Sequence, residues 1–266
     1  MPELPDVENF KRYLDATGLH KRIEHITLTS EKVLHGVTRQ KLAAALTGHA
    51  LSRTYRHGKH LFAELDDGPW LMLHFGMTGF LAYFQNLDDD PEHDRLRLDF
   101  DNGYHLAFVN QRLFGEVGVV EDPAAFITEQ ELGPDALALD EDAFRHVLAE
   151  RRGQVKSALM DQSLIAGIGN VYSDEMLFQA GIHPKTLISD LDDAAVHTLY
   201  AAMMNVLNVA IDKGAGSADL FDNLPQGWLL PHRDEGAKCP RCGGAIEKVS
   251  AAGRGAYICP QCQPEP

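Results

Sequence analysis

Leu96-Arg97-Leu98-Asp99-Phe100-Asp101-Asn102-Gly103-Tyr104-His105-Leu106-Ala107-Phe108 sets the architecture of the N-terminal half. Leu96, Leu98 and Phe100 fall on one face and Arg97 and Asp99 on the other, the period of a half-buried strand. Asp101-Asn102-Gly103 tolerates a tight turn, so the flanking runs are predicted to pair as an antiparallel hairpin. The same alternation, broken by turn signals, runs from Ile26 to Val120, with another hairpin turn expected at Asp67-Gly68. Lys41 to Leu46 are helix formers that interrupt the first strands, and Val7, Phe10 and Leu14 recur at helical spacing after Pro5. This half therefore reads as an antiparallel β-sandwich flanked by helices.

Downstream, Glu121 to Asp140 is acidic and punctuated by Pro123 and Pro134, the pattern of a linker. Helical patterning follows over Ala143–Arg151, Gln154–Met160 and Val171–Gln179, the last ended by Ala180-Gly181. Val196, Leu199, Met203, Leu207 and Ala210 mark a longer helix stopped at Lys213-Gly214. Ala215 to Lys238 is rich in Gly, Pro and Asp without a period and reads as loop. The predicted fold is α+β and multidomain: an N-terminal β-sandwich over 1–121, a linker over 122–140, a helical domain with loop over 141–237, and a cysteine module over 238–266.

A chain of 266 residues is long enough for two domains and an appendage. No apolar run reaches the roughly 18 residues of a membrane span, and no secretory signal precedes the first helix, so a cytosolic protein is expected. The net charge of −15 argues against a generic polyanion binder. Basic residues nevertheless cluster at Arg53-Arg56-Lys59, Arg151-Arg152-Lys156 and Lys238-Arg241-Lys248-Arg254, and the local field decides binding. Asp88-Asp89-Asp90 reads as a solvated loop.

The start, Met1-Pro2-Glu3-Leu4-Pro5, carries a distinct chemistry. Removal of Met1, which a small second residue normally permits, leaves a secondary amine at Pro2 beside the Glu3 carboxylic acid. Such an amine condenses with a sugar aldehyde carbon to a cationic iminium without losing a further proton. The four cysteines all lie after Lys238, as Cys239-Pro240-Arg241-Cys242 and Cys259-Pro260-Gln261-Cys262. In a reducing cytosol that spacing favours a closed tetrahedral four-thiolate zinc site on a β-hairpin over disulfides or redox pairs. With no open position the metal is structural. It would hold Ala252-Gly253-Arg254-Gly255, whose glycines admit a phosphate while Arg254 offers a bidentate fork.

Pro2-Glu3-Leu4-Pro5, Gly167-Ile168-Gly169-Asn170-Val171-Tyr172, and Ala252-Gly253-Arg254-Gly255 followed by Cys259-Pro260-Gln261-Cys262-Gln263 occur in that order over essentially the whole chain. In these motifs the chain resembles the formamidopyrimidine glycosylase/endonuclease VIII family, on its formamidopyrimidine-DNA glycosylase side. The resemblance implies an N-terminal β-sandwich, a helix-two-turn-helix domain and a zinc finger, with damaged double-stranded DNA in the cleft between the two domains. It implies removal of oxidised purines, 8-oxoguanine and formamidopyrimidines, in base excision repair, followed by abasic-site cleavage through β,δ-elimination. One structural Zn2+ and no small-molecule cofactor are implied. A monomer acting on DNA in the cytoplasm, on the nucleoid and away from membranes, is expected.

By the same resemblance Pro2 attacks C1′ and Glu3 is the acid/base. Lys59 contacts phosphate; on residue type alone it also suits a surface strand. Asn170, before a helix, would face a phosphate together with the helix N-terminus, or act only as an N-cap. Lys156 would lie near the lesion, or face solvent beside Arg152. Met77, Arg112 and Phe114 match void-filling residues, each also suited to a core, and the glycines in Phe75-Gly76-Met77-Thr78-Gly79 and Gln111-Arg112-Leu113-Phe114-Gly115 favour exposed turns.

The match has departures. Asp6 replaces a glutamate, Asn110-Gln111 stands where Asp-Pro is typical, and Leu113 replaces an arginine. The segment from Gly214 to Lys238 is shorter than usual where the family caps an everted purine. Alternatives are therefore a preference for oxidised pyrimidines or abasic sites, a catalytically silent DNA-binding member, and a purely structural zinc module.

Overall fold

The structure is a computed structural model that describes residues 1–66, 68–149 and 151–266. The chain divides into two compact units, the first made of Met1–Pro2 and Asp6–Glu131, the second of Glu3–Pro5 and Leu132–Pro266.

In the first unit the order is α1 (Leu4–Thr17), β1 (Ile23–Leu28), α2 (Arg39–Leu46), β2 (Leu51–His57), β3 (His60–Leu65), β4 (Trp70–His74), β5 (Phe80–Phe84), β6 (Asp94–Phe100), β7 (His105–Val109), β8 (Glu116–Val120) and α3 (Pro123–Glu129). The strands form two four-stranded antiparallel sheets, β1-β6-β7-β5 and β2-β3-β4-β8. The hairpin read from sequence is β6–β7, with Leu96 opposite Phe108 and Leu98 opposite Leu106. These residues share one core with Leu61, Leu71, Leu73 and Val117 of the other sheet and with Val7, Phe10 and Leu14 of α1. Arg97, on the opposite face of β6, pairs with Asp90 and Asp99, so Asp90 is held rather than merely solvated. The expected turn at Asp67-Gly68 falls partly outside the described residues, which omit Asp67.

The segment expected as linker contains α3. Asp122 accepts from the backbone N–H groups of Ala124 and Ala125, and Pro123 occupies the first turn. Phe126 anchors the helix on Phe62, Trp70 and Met72, which lie away from the sandwich core. Seven residues with a single large anchor are too few to show a helical period, which is why composition alone suggested a loop.

The second unit holds α4 (Glu141–Ala149), α5 (Val155–Met160), α6 (Asn170–Ala180), α7 (Asp193–Asp212), α8 (Leu220–Asn223), β9 (Glu247–Ala251) and β10 (Arg254–Ile258). Gly181 ends α6 in the left-handed conformation at φ 69°, a position where other residues are strained. α7 is 20 residues long and apolar enough, by length and composition, to cross a membrane, which the sequence reading did not anticipate. Its Leu199, Met203, Val206, Leu207 and Ala210 lie in the same core as Tyr172, Met176 and Leu177 of α6.

Ala215 to Lys238 is more ordered than expected, with α8 and a 3-10 turn at Leu230–His232. Glu175 of α6 pins it, accepting from the backbone N–H of Leu229 at 3.2 Å and of Leu230 at 2.7 Å. Burial pushes the Glu175 carboxyl above its ordinary range, and these donors pull it back.

Candidate active site

Glu3 lies 166 residues from Gly169 in sequence and against it in space. Gly169 is the N-cap of α6 and has no side chain to satisfy the exposed N–H groups of the first turn. The Glu3 carboxylate does so: Oε2 accepts from Gly169 at 2.7 Å and Tyr172 at 3.2 Å, and Oε1 from Val171 at 2.8 Å. The residue is 1 % exposed. A Cβ on Gly169 would lie 2.4 Å from the Glu3 carboxyl carbon, so only glycine admits this approach. The chain start is also fixed by its backbone, with Leu4 N–H donating to Gly167 O at 3.0 Å. Gln162 braces the loop, accepting from Gly167 N and donating to Ile168 O. The α6 N-terminus, expected to face a phosphate, is thus occupied by the side chain next to Pro2.

Lys156 does not face solvent. Its side chain is fully buried and its ammonium donates to Asp174 Oδ1. Burial pulls the lysine below its ordinary range, while Asp174 and, more weakly, Glu3 favour the charged form. The other oxygen, Asp174 Oδ2, accepts from Arg233 Nη2 at 2.7 Å and from Tyr257 N–H of β10 at 3.2 Å. Asn170 Nδ2 donates to Gly255 O at 3.2 Å, and Gln154 Oε1 accepts from Ala252 N at 3.0 Å. Three side chains of the α5–α6 region therefore hold the β9–β10 hairpin by its backbone. Ala252 and Gly253, both at positive φ, make its two-residue turn and leave Arg254 exposed beside it. Asp174, Glu175, Gln154 and Gln162 were not singled out from sequence, because a polar residue inside a helical run reads as its solvent face.

The cysteine cluster meets the requirement for a metal. The four Sγ atoms of Cys239, Cys242, Cys259 and Cys262 lie within 4.8 Å of one another, with Cys239–Cys262 at 3.8 Å and Cys242–Cys259 at 3.4 Å. A tetrahedron with Zn–S bonds of about 2.3 Å has edges of roughly 3.8 Å, whereas a disulfide needs about 2.05 Å. The four thiolates can therefore hold one zinc ion. Arg241 anchors the first knuckle, donating to Phe178 O at 2.8 Å and lying over the Phe178 ring, and Gln263 Nε2 donates to Ile182 O at 2.8 Å.

In the first unit, Lys59 sits with Gly58 in the two-residue turn of the β2–β3 hairpin and is largely buried rather than on an open strand. Arg56 ties that hairpin to α1 through Glu8 at 2.9 Å. Next to Lys59, His60 is pushed down to about 3 by burial and by His74, His57, His35 and Lys59 itself, so it adds no positive charge. Met77 and Phe114 are 39 % and 57 % exposed, and the Arg112 guanidinium lies 5.5 Å from the centre of the Phe114 ring.

Three family models match in chain order: "Formamidopyrimidine-DNA glycosylase N-terminal domain" over residues 1–117, "Formamidopyrimidine-DNA glycosylase H2TH domain" over 132–222, and "Zinc finger found in FPG and IleRS" over 236–264. The formamidopyrimidine-DNA glycosylase of Acaryochloris marina is 34 % identical over 100 % of both chains. That of Streptococcus pyogenes serotype M6 is 33 % identical over 99 % of this chain and 98 % of its own. Among solved structures, Lactococcus lactis formamidopyrimidine-DNA glycosylase bound non-covalently to DNA containing an abasic site superposes with a TM-score of 0.88 at 31 % identity, covering 99 % of this chain and 100 % of the other. MutM in complex with DNA containing carbocyclic 8-oxoguanine gives 0.88 at 30 % identity over the same shares. With this fold, this order of parts and full-length relatives, the chain belongs to the formamidopyrimidine-DNA glycosylase family.

Proposed function

We propose that this chain is a bifunctional DNA glycosylase and abasic-site lyase that removes oxidised purines from double-stranded DNA. The supporting observation is the Glu3 carboxylate, held by α6 at a fixed place one residue from Pro2. With Met1 removed, the Pro2 amine attacks C1′ of the damaged nucleotide and the base departs as the iminium forms. Glu3 moves the protons: it assists opening of the sugar ring, the iminium acidifies the C2′ proton, whose loss expels the 3′ phosphate, and loss of a second proton, from C4′, then expels the 5′ phosphate. Lys59 and Arg254 hold phosphates, while Met77, Arg112 and Phe114 fill the gap left by the extruded nucleotide. Lys156 and Asn170 act through the protein, the first by its charge beside Glu3 and the second by docking the hairpin. Zinc is structural. The proposed division is a β-sandwich over 1–121, a linker, a helix-two-turn-helix domain over 141–237 and a finger over 238–266, in a cytoplasmic monomer.

The test is borohydride reduction with an oligonucleotide carrying an abasic site. The enzyme is trapped covalently, and Glu3→Gln and Pro2→Gly lose lesion cleavage by at least a hundredfold while retaining DNA binding. Unchanged cleavage by either variant, or no trapping by an active preparation lacking Met1, refutes the reading. A preference for oxidised pyrimidines or abasic sites is a second reading. It is favoured by the shortness of 214–238 and by the exposure of Phe221, 56 %, on α8 within it. Side-by-side excision of 8-oxoguanine, formamidopyrimidine and thymine glycol separates the two.

A further inference from the structure

The loops Phe75–Gly79 and Gln111–Gly115 meet around one buried amide. Asn110 is 0 % exposed, and each of its four polar groups is satisfied. Its N–H donates to His93 O at 3.0 Å and its carbonyl accepts from Arg95 Nε at 2.9 Å, which fixes the backbone. Its side chain joins the loops: Nδ2 donates to Phe75 O at 3.0 Å, and Oδ1 accepts from Gly115 N–H at 3.2 Å. The first bond ends at the root of the loop that carries Met77, the second at the root of the loop that carries Arg112 and Phe114.

The glycines show how close this packing is. A Cβ on Gly79 would lie 2.9 Å from Asn110 Nδ2, and one on Gly115 2.4 Å from the same atom. A Cβ on Gly76, which sits at φ +59°, would lie 2.4 Å from the Phe114 carbonyl. The amide is thus clamped between glycines of both loops, and the loops touch each other through backbone. Gly79 N–H donates to Phe75 O as well, at 2.9 Å, so that carbonyl takes two donors and orients the Met77 turn. Arg112 N–H reaches Thr78 Oγ1 at 3.4 Å across the same seam. Met77 and Phe114 remain exposed on top of this base.

We propose that Asn110 is a positioning residue that makes Met77, Arg112 and Phe114 one preassembled wedge for the gap in a duplex. The inference rests on the gap-filling role assigned above to these three side chains. The amide serves both ends, since the side chain donates at one and accepts at the other. A carboxylate reproduces the acceptor but confronts the Phe75 carbonyl with an oxygen unless it carries a proton. Without the joint, each loop would order its own side chain only on meeting DNA, and that entropy would be lost from binding.

The experiment uses the full chain with Met1 removed, on two substrates: a duplex with 8-oxoguanine opposite cytosine, which has a gap to fill, and a single-stranded abasic oligonucleotide, which has none. Asn110→Leu keeps the volume and removes both bonds. It is expected to cut duplex cleavage at least tenfold while borohydride trapping on the single strand stays within threefold of the parent. Asn110→Asp, which keeps the acceptor for Gly115 N–H, is expected to lose less on the duplex than Asn110→Leu. A 2-aminopurine opposite the lesion reports the same deficit as slower fluorescence change. Equal activity of Asn110→Leu and the parent on the duplex overturns the proposal. So does a loss of the same size on both substrates in Asn110→Leu. If the parent itself traps neither substrate, the functional reading above fails and not the role of Asn110.

Discussion

Asp94 opens β6 with one carboxylate oxygen buried and lacking a hydrogen-bond partner among the described residues, and the neighbouring Asp90 has one too. Neither can donate to the other unless one carries a proton. Burial, followed by the charge of Asp90, raises the Asp94 carboxyl from 3.8 to about 6, with Arg97 and Arg95 opposing. The sign for stability follows from proton counting. Between 3.8 and about 6 the unfolded chain has released this proton and the folded chain still holds it, so stability falls as pH rises through that window. Above it the penalty is fully present. Asp94→Asn supplies a permanent donor and removes the titration. Its melting temperature is expected to match the parent near pH 3.5 and to exceed it increasingly up to pH 6.5. A variant that melts lower than the parent at pH 7 would show that the ionised carboxylate is needed there.

At the scale of elements, α6 organises the second unit. It is buried on nearly every side, with Ser173, Asp174 and Glu175 as inaccessible as Met176 and Leu177. Its N-terminus takes Glu3, its middle takes Lys156, Arg233 and the β10 backbone through Asp174, and its C-terminal turn receives Arg241 of the first cysteine knuckle. Asp174→Asn leaves the Lys156 ammonium buried without its hydrogen-bonded counter-charge, a change that costs roughly 3–5 kcal/mol when a buried ion pair is broken from one side. Asn keeps one acceptor, so a loss near the lower figure is expected in urea unfolding. Lys156→Met in the same chain should restore part of it, giving a clear non-additivity in the double-mutant cycle. Additive effects would mean the two side chains are energetically independent. This hub also shows where legibility ended. The sandwich was readable because alternation such as Leu96-Arg97-Leu98 reports burial directly, and α6 because Gly181 stops it. The Cys-x-x-Cys pairs likewise declared their cluster, since metal ligation fixes residue type as well as spacing. Asp174, Asn110 and Glu175 look like surface residues in a linear string, and only partners supplied from distant segments make their burial tolerable. α3 and α8 were missed for another reason: elements of seven and four residues are shorter than the window in which a period can be counted.

For the whole molecule the charge of −15, from 39 acidic and 24 basic side chains, opposes approach to DNA, while the proposed function has Arg254 and Lys59 pair with phosphates. The two effects predict opposite responses to salt. Long-range repulsion acts beyond the Debye length of about 10 Å at 0.1 M, so if it dominated, added salt would screen it and strengthen binding. Direct pairing releases condensed counterions, so if it dominated, log K would fall linearly with log salt, by about 0.9 per phosphate neutralised. The second is expected: Arg254 is exposed beside a hairpin turn, whereas acidic groups such as Asp90, Asp99 and Glu64 already hold arginines of their own. Anisotropy titrations of a duplex with an uncleavable abasic analogue should therefore show affinity decreasing from about 50 to 200 mM salt. Arg254→Ala should weaken binding and flatten the slope by about 0.9, the share of one phosphate. A flat or rising affinity in the parent would mean that the global field outweighs the local contacts and that recognition is carried by shape and gap filling instead.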